Sequence, residues 1–326
     1  MKEMEFQLTE GSLYYEGHPD GNGNMGLRIT RYHGFASHVE IPDELPLPGG
    51  EGDDALPEGG AVGQEEGGLC IGRVIGIEKK AFLSKKYLRS VTVPASVKEV
   101  GDWAFAYCDA LREVTFEGRE ASFGRAVFME CPGLRCVRFG REETCDGVGA
   151  LMAAAVTIME SAYLLDPKEA GSKEWLGKWD ARMLAILNAA DDEGYSKQIL
   201  CGEEDYESAD LDTYLTGSRK KKVRLLLLRL LWPMGLSEEV AQKLRQYLLA
   251  HTKGCKTEET WQVVREEYRD RREFYQLFAE LGCLTKENAP AVISETPGDA
   301  PEMKAFFLKY QAQHFANLDF FGNLEL

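Results

Sequence analysis

A 23-residue period between residues 77 and 139 constrains the fold of this chain more than any other feature of its sequence. Phenylalanine, leucine and valine recur at that spacing through three consecutive copies, and their sizes are preserved. A fixed period of about 20 to 29 residues is typical of a solenoid in which each repeat contributes one short strand and one helical turn. The recurring residues predict the core of the repeats: Phe82, Leu88, Val91, Phe105, Leu111, Val114, Phe128, Leu134 and Val137.

Alternating residues predict a short strand in each copy. Val91 and Val93 alternate with Ser90 and Thr92, which places the valines on one face and the polar side chains on the other. Adjacent strands of such an array present their outer side chains on a rigid surface at steps of about 4.8 Å, so this outer face is predicted to bind a partner. We call this face the strand ladder, and its predicted residues are His38, Glu40, Ser90, Thr92, Glu113, Thr115, Cys136 and Arg138.

The repeats resemble a known family. The segments "IEKKAF", "LRSVTVPASVKEVGDWAFAYCDALREVTF" and "FGRAVFMECPGLRCVRF" are similar to the 23-residue leucine-rich repeats of BspA type, first known from bacterial surface antigens. The preceding "LRITRYHGFASHVEIP", residues 27–42, resembles the usual lead-in to such arrays. The resemblance covers about residues 27–140 and implies a repeat fold used for adhesion and protein binding, with partners that vary.

One insertion departs from that family pattern. Residues 43–68, "DELPLPGGEGDDALPEGGAVGQEEGG", stand where the family has a short turn. A glycine-rich, proline-containing and acidic segment buries too little apolar surface to order itself. We expect a mobile surface loop here, and an acidic recognition loop is the alternative.

Helical patterns replace the strand alternation from residue 147 onward. The 23-residue frame continues into "ALMAAAVTIMESAYLL", whose length predicts a helix that caps the solenoid. Apolar stripes at helical spacing follow to the C-terminus, and Ser237, Thr257 and Thr285 are predicted to begin helices. The predicted fold class is therefore α+β. We expect a leucine-rich-repeat domain over residues 1–146, including the loop at 43–68, and an all-α helical domain over residues 147–326.

Charge and hydropathy exclude several classes of protein. A formal net charge of -16 and a pI near 4.9 argue against nucleic-acid binding, which requires clustered Lys and Arg. No apolar run approaches the roughly 20 residues that span a bilayer. The N-terminus lacks a secretory pattern, so we expect a cytoplasmic protein, or a cell-surface one if a signal has been removed. We expect the eight cysteines, which include no C-x-x-C pair, to be reduced and mostly buried.

The segment "GSRKKKVRLLLLRLLWP", residues 217–233, combines a basic stretch with an apolar run. Arg229 interrupts the run and Pro233 ends it, so we interpret the segment as a central bundle helix with a solvated basic end. The alternative is a contact patch for an acidic partner, such as the chain's own Glu203, Glu204 and Asp205.

The sequence contains no convincing catalytic or metal site. The "DGNGN" segment, residues 20–24, lacks the glycine and glutamate that an EF-hand loop places after it, and a hairpin turn explains it better. The five histidines are not paired with any nucleophile or metal motif. We therefore predict no catalytic residue, no metal and no cofactor.

These observations favour a non-enzymatic module that binds an unidentified protein partner through the strand ladder, the inter-domain groove, or both. One alternative is a cell-surface adhesin-like protein, as the resemblance implies. The other is an enzyme or regulator whose site lies in the helical half, with Glu203, Asp205 and Asp210 as its reactive carboxylates.

Overall fold

The computed structural model describes residues 3–19, 25–47, 71–140, 147–196 and 210–315. The chain forms two compact units, Met1–Trp179 and Asp180–Leu326. The predicted division between residues 146 and 147 stays a prediction. The EF-hand-like segment at residues 20–24 and most of the predicted acidic loop, residues 48–68, lie outside the described residues.

The repeats place four short parallel strands side by side in the first unit. Each strand is one 23-residue period from the next between residues 90 and 139, so Val91 lies beside Val114 and Val114 beside Val137. Val39 lies beside Val91 and extends the same row into the lead-in segment. The strands are β4 (His38–Glu40), β7 (Ser90–Val93), β9 (Glu113–Phe116) and β11 (Cys136–Phe139), in the sheet order β11-β9-β7-β4.

A second sheet begins with an antiparallel meander and continues in parallel through the repeats. Its antiparallel part is β1 (Met4–Leu8), β2 (Gly11–Pro19) and β3 (Met25–Gly34). Its parallel part continues from β3 to β6 (Ile71–Ile77), β8 (Glu99–Val100) and β10 (Ser122–Phe123). β5 (Glu44–Pro46) pairs antiparallel with β6, so the start of the segment predicted as a loop is a strand.

The connection between the two sheets is not the helical turn predicted for each repeat. Residues 79–84, 102–107 and 125–130 form consecutive tight turns. In the first copy the Ala81 N–H donates to the Glu78 carbonyl and the Leu83 N–H donates to the Lys80 carbonyl. Two residues in each turn have a left-handed backbone conformation, with φ between 51° and 63°, and this conformation interrupts a helix. The first of the two is Lys80, Trp103 or Ala126, and the second is Ser84, Tyr107 or Glu130.

A stack of aromatic rings runs through the turns. The ring centroids of Phe82 and Phe105 are 5.0 Å apart and those of Phe105 and Phe128 are 5.7 Å apart, with interplanar angles of 24° and 12°. Tyr32 adds a fourth ring, 5.4 Å from Phe82, and its hydroxyl donates to the Glu10 carbonyl at 3.4 Å. Each of the nine predicted core residues is at most 6% exposed. Burial of one such side chain stabilises the fold by about 2 to 3 kcal/mol.

Buried cysteines accompany the ring stack. The Cys108 thiol donates to the Phe82 carbonyl at 3.1 Å, and the Cys131 thiol donates to the Phe105 carbonyl at 3.0 Å. These two thiols are free, as expected for cysteines that pack as small apolar residues. Cys136 is disulfide-bonded, so the expectation of reduced cysteines is wrong at that position.

Two helices pack within the first unit or extend from it. α1 (Gly147–Thr157) packs against β11, and a short 3-10 helix (Ala162–Leu164) follows. α2 (Lys173–Asn188) contributes two tryptophans to the first unit. The Trp175 indole donates to the Leu164 carbonyl at 2.8 Å and the Trp179 indole donates to the Leu151 carbonyl at 2.9 Å. Both indoles are fully buried, so these bonds satisfy the only polar atom of each side chain.

The second unit is helical over its described residues. Trp261, Tyr275, Phe278 and Phe307 form its aromatic cluster, with ring centroids 5.4 to 6.3 Å apart. Its helices are α3 (Leu211–Leu231), α4 (Glu238–Ala250), α5 (Glu259–Glu266), α6 (Arg272–Glu280), α7 (Ala289–Glu295) and α8 (Pro301–His314).

Two of the three predicted helix starts are confirmed. The Ser237 hydroxyl caps α4 by accepting from the Val240 N–H at 3.3 Å. Thr257 does not cap α5, which begins at Glu259 after Glu258. Thr285 and Asn288 form the reciprocal bonds of a capping box, and the Ala289 N–H donates to the Thr285 carbonyl at 3.0 Å, so the helical turn that leads into α7 begins at Thr285.

Replacing the central ring tests the stack. We expect Phe105→Ala to lower the free energy of unfolding by about 3 to 5 kcal/mol, because it removes a fully buried ring and leaves a cavity between two neighbours. Urea unfolding measures the loss, and hydrogen exchange mass spectrometry assigns it to residues 1–179. The exposed Phe35→Ala is the control and should change stability by less than about 1 kcal/mol. An equal effect of the two substitutions would contradict the stack.

Replacing a left-handed residue tests the turns. We expect Ser84→Gly to raise the free energy of unfolding by about 0.5 to 1 kcal/mol, since glycine adopts φ near 57° without the steric cost of a Cβ. Ser84 is exposed, so little packing is lost. Ala95→Gly, at an exposed position outside the left-handed set, should lower stability slightly in the same urea assay. A loss of stability in Ser84→Gly would show that its left-handed conformation carries no strain.

Candidate partner-binding surface

The strand ladder brings the eight predicted residues onto one sheet. They form two rows that run across the four strands in register. The first row is His38, Ser90, Glu113 and Cys136, and the second is Glu40, Thr92, Thr115 and Arg138. The structure therefore assembles a continuous polar surface from segments that are separated by up to 100 residues.

Neighbouring side chains on the strand ladder contact one another. The His38 Nδ1 and Ser90 Oγ atoms are 2.6 Å apart, and the Glu113 carboxylate forms an ion pair with Arg138. His38 and Glu40 are exposed, whereas Ser90, Thr92, Glu113 and Thr115 are half-buried. These contacts hold the side chains in fixed positions, which reduces the entropy that a partner must remove on binding.

The end of the strand ladder at β11 is closed. Cys136 is only 3% exposed, so the exposure predicted for it does not hold. α1 covers it: a Cβ on Gly149 would lie 2.8 Å from the Cys136 sulfur, so only glycine permits this approach. The Arg138 side chain is 10% exposed. The open end of the strand ladder is therefore the one opposite β11, which begins with the exposed His38 and Glu40 of β4.

An aromatic pair that the sequence did not reveal lies at this open end. Phe35 and Tyr87 are 74% and 63% exposed, and their rings meet edge to face with centroids 5.8 Å apart. Each precedes its ladder strand by three residues, since β4 begins at His38 and β7 at Ser90. Aromatic anchors beside polar groups are typical of binding hot spots. Neither residue belongs to the recurring core. A large aromatic residue at a position outside the repeat pattern was the only sequence feature that could have indicated this pair.

A cavity of 460 Å³ lies where the third repeat ends. One wall is the turn of that repeat, residues 126–132, and the other includes Val156 and Thr157 of α1 together with Ala162 and Leu165. Two carboxylate residues, Glu130 and Glu160, also line it. Its volume lies within the range of about 300 to 1,000 Å³ found for ligand pockets.

The described residues do not assemble a metal site, and only one of the alternative carboxylates lies among them. Of the alternative carboxylates, Glu203 and Asp205 lie outside the described residues, and Asp210 is exposed just before α3. No group of three or more His, Cys, Asp or Glu side chains within the described ranges could hold a metal ion. Burial raises the pKa of the Cys283 thiol to about 12, which removes it as a thiolate nucleophile at neutral pH.

The basic segment at residues 217–233 lies in α3, but its cations are not solvated as expected. Arg229 is fully buried, and its guanidinium donates to the Asp180 carboxylate and to the Trp232 and Met234 carbonyls. Four more cations of α3 are paired with acids of the second unit: Arg219 with Asp191 and Glu259, Lys220 with Glu266, Lys222 with Asp191, and Arg224 with Glu267. Among the described residues, the acidic partner of this segment is therefore the chain itself, whereas Glu203, Glu204 and Asp205 lie outside the described residues.

Asp191 shows how this network affects stability. Burial opposes ionisation, but hydrogen bonds from Lys222 and Arg219 prevail and hold the pKa of the Asp191 carboxyl below its ordinary value. A lowered pKa in the folded state stabilises the fold above the unfolded pKa, about 3.9 for Asp. This contribution is lost as the pH falls through the lowered value.

Residues 72–150 match the family model described as BspA type leucine rich repeat region (6 copies). No curated protein matches the chain. Over the described residues no helix is long and apolar enough to cross a membrane.

Several solved structures of leucine-rich repeat proteins are similar to part of the chain. A leucine rich cell surface protein from Faecalibacterium prausnitzii is 22% identical over 42% of this chain and 32% of its own, with a TM-score of 0.29. A leucine-rich repeat protein from T. pallidum is 22% identical over 39% and 48%, with a TM-score of 0.23. One from Bacteroides capillosus is 18% identical over 42% and 99%, with a TM-score of 0.26. The chain thus spans less than half the length of the first two.

Removing the partner of a buried cation tests the α3 network. We expect Asp180→Ala to lower the free energy of unfolding of the second unit by about 3 kcal/mol, because it leaves the buried Arg229 guanidinium without its carboxylate. Asp299→Ala, which removes an exposed ion pair with Arg269, should cost less than about 1 kcal/mol. Urea unfolding with hydrogen exchange of residues 180–315 measures both. Equal losses would contradict a special role for the buried pair.

Proposed function

The chain carries a BspA-type leucine-rich repeat region at residues 72–150, and we propose that it acts as a non-enzymatic module that binds a protein partner. The observation that carries this proposal is the strand ladder, a pre-formed polar surface with an exposed aromatic pair at its open end. No partner is implied by the family, whose members bind different proteins.

We propose that the repeat region is a short solenoid. In-register parallel strands, stacked rings and turns of one conformation in all three copies support this architecture. α1 serves as its cap, because α1 packs on the last strand where a further repeat would otherwise stack. The cap closes one end of the strand ladder and directs a partner to the other.

The partner contacts the open end of the strand ladder. Phe35 and Tyr87 supply apolar contact area, while His38, Glu40 and Thr92 supply polar groups beside them. Hot spots combine such aromatic anchors with surrounding contacts that exclude water. A net charge of -16 favours a neutral or basic partner over an acidic one.

A cell-surface adhesin-like role is the second candidate. The disulfide at Cys136 favours it, because disulfides persist in oxidising compartments and are rare in the cytosol. A cytoplasmic location is the alternative. Both locations require the same strand ladder to bind a protein, so the binding proposal does not depend on the choice.

Site-specific photo-crosslinking tests the proposed surface. The cross-linker benzoylphenylalanine replaces Tyr87 or Thr92 in the full chain, which is then irradiated in a lysate of the source organism. We expect both positions to capture the same protein, since they lie on one contiguous surface. Glu40→Lys and Phe35→Ala should each reduce the yield, because they change the charge and the aromatic anchor of that surface.

Tyr163 provides the matched control. It belongs to the same unit and is 61% exposed, against 63% for Tyr87, but it lies in the 3-10 helix outside the strand ladder. A cross-linker there should not capture the protein caught at the ladder. Capture of the same proteins from all three positions, or of none from Tyr87 and Thr92, contradicts the proposal.

A further inference from the structure

The third repeat ends the array with a row of three backbone amides that have no acceptor among the described residues, and all three residues line the cavity beside α1. We propose that this row binds a peptide segment of a partner protein by donating to its backbone carbonyls. This site is separate from the strand ladder and would give the module a second contact point.

The hydrogen bonds between successive repeats show which acceptors the three amides of the third repeat lack. In each turn, three alternate N–H groups donate to three alternate carbonyls of the next turn. From the first repeat to the second the pairs are Lys80 to Asp102 at 3.0 Å, Phe82 to Ala104 at 2.8 Å and Ser84 to Ala106 at 2.9 Å. From the second to the third they are Trp103 to Arg125 at 3.0 Å, Phe105 to Val127 at 3.0 Å and Tyr107 to Met129 at 2.8 Å.

The equivalent donors of the third repeat are the N–H groups of Ala126, Phe128 and Glu130. No hydrogen bond from them to any residue of the described chain is formed. The equivalent acceptors, 22 residues after each donor, would be residues 148, 150 and 152 of α1, whose carbonyls are used within the helix. Phe128 is only 2% exposed, and a buried backbone amide without an acceptor is rare and costly in folded proteins, whereas Ala126 and Glu130 are exposed and open to a ligand. The row is therefore a ready set of donors.

The cavity provides room for an occupant along this row. Ala126, Phe128 and Glu130 all line it, within its volume of 460 Å³. Val156 and Leu165 form apolar parts of the lining. An occupant can thus receive hydrogen bonds from one wall and place an apolar side chain against the other.

Charge selects a peptide over an anion. A row of backbone N–H groups by itself would also suit a phosphate or carboxylate. Glu130 and Glu160 line the same cavity, however, and their negative charge repels an anion at short range. Peptide carbonyls are neutral acceptors, and a basic residue beside them would be attracted by the carboxylates. The expected ligand is a segment with alternate carbonyls free, an apolar residue at its centre and Lys or Arg beside it.

Peptide selection on the full chain tests the proposal. Random capped hexapeptides are displayed and selected, and the enriched peptides are labelled and measured by fluorescence anisotropy. We expect apolar residues flanked by Lys or Arg to be enriched. Ala162→Trp should weaken binding by at least about tenfold, because the indole fills the mouth of the cavity. The adjacent Tyr163→Trp lies outside the cavity lining and should leave affinity unchanged.

Amide chemical shifts identify the donors. In ¹⁵N-labelled chain, a selected peptide should move the amide protons of Ala126, Phe128 and Glu130 downfield, and leave those of Trp103 and Phe105, which are already bonded, in place. Inorganic phosphate at the same concentration should not shift the amide protons of Ala126, Phe128 and Glu130. Tyr87→Ala should leave the affinity for the peptide unchanged, and this result would distinguish the site from the strand ladder. Failure to enrich any peptide, equal binding by Ala162→Trp, or a response to phosphate alone overturns the proposal.

Discussion

Contact between equivalent residues in successive repeats is the constraint on which the first unit depends. The rings of Phe82, Phe105 and Phe128 lie one above another, and the backbone N–H of each of the first two donates to the turn that follows. Stacking fixes the separation of the turns, and that separation sets the parallel register of the strands. The strand ladder is therefore a product of core packing, because its side chains take their positions from the strands beneath them.

The same constraint explains why the two ends of the repeats differ from the middle, where each repeat contacts another on both sides. At the first end, Tyr32 completes the stack with a hydroxyl that reaches the Glu10 carbonyl, so the ring is accommodated where the meander begins. At the other end, α1 covers β11 but does not reproduce the hydrogen-bonding edge of a fourth turn. One end of the array is thus satisfied by the chain, and the other leaves donors that another molecule can use.

The period predicted the repeat strands and the ring stack, because residue size at fixed spacing is recorded directly in the sequence. It did not predict Tyr32, which lies 50 residues before Phe82 because the segment at 43–68 interrupts the frame. The left-handed turns were missed because Lys80, Trp103 and Ala126 are not glycines. The burial of Cys136 and the pairing of the α3 cations depend on tertiary contacts, with α1 and with acids up to about 50 residues away. A periodic pattern carries no information about such contacts.

Nuclear Overhauser effects between selectively labelled phenylalanine rings test the central contact most directly. The account predicts cross-peaks between Phe82 and Phe105 and between Phe105 and Phe128, whose centroids are 5.0 Å and 5.7 Å apart. It predicts no direct cross-peak between Phe82 and Phe128, because a ring lies between them. Absence of the two neighbouring cross-peaks in the folded chain, or a direct one between the outer rings, would contradict the stack and the register built on it.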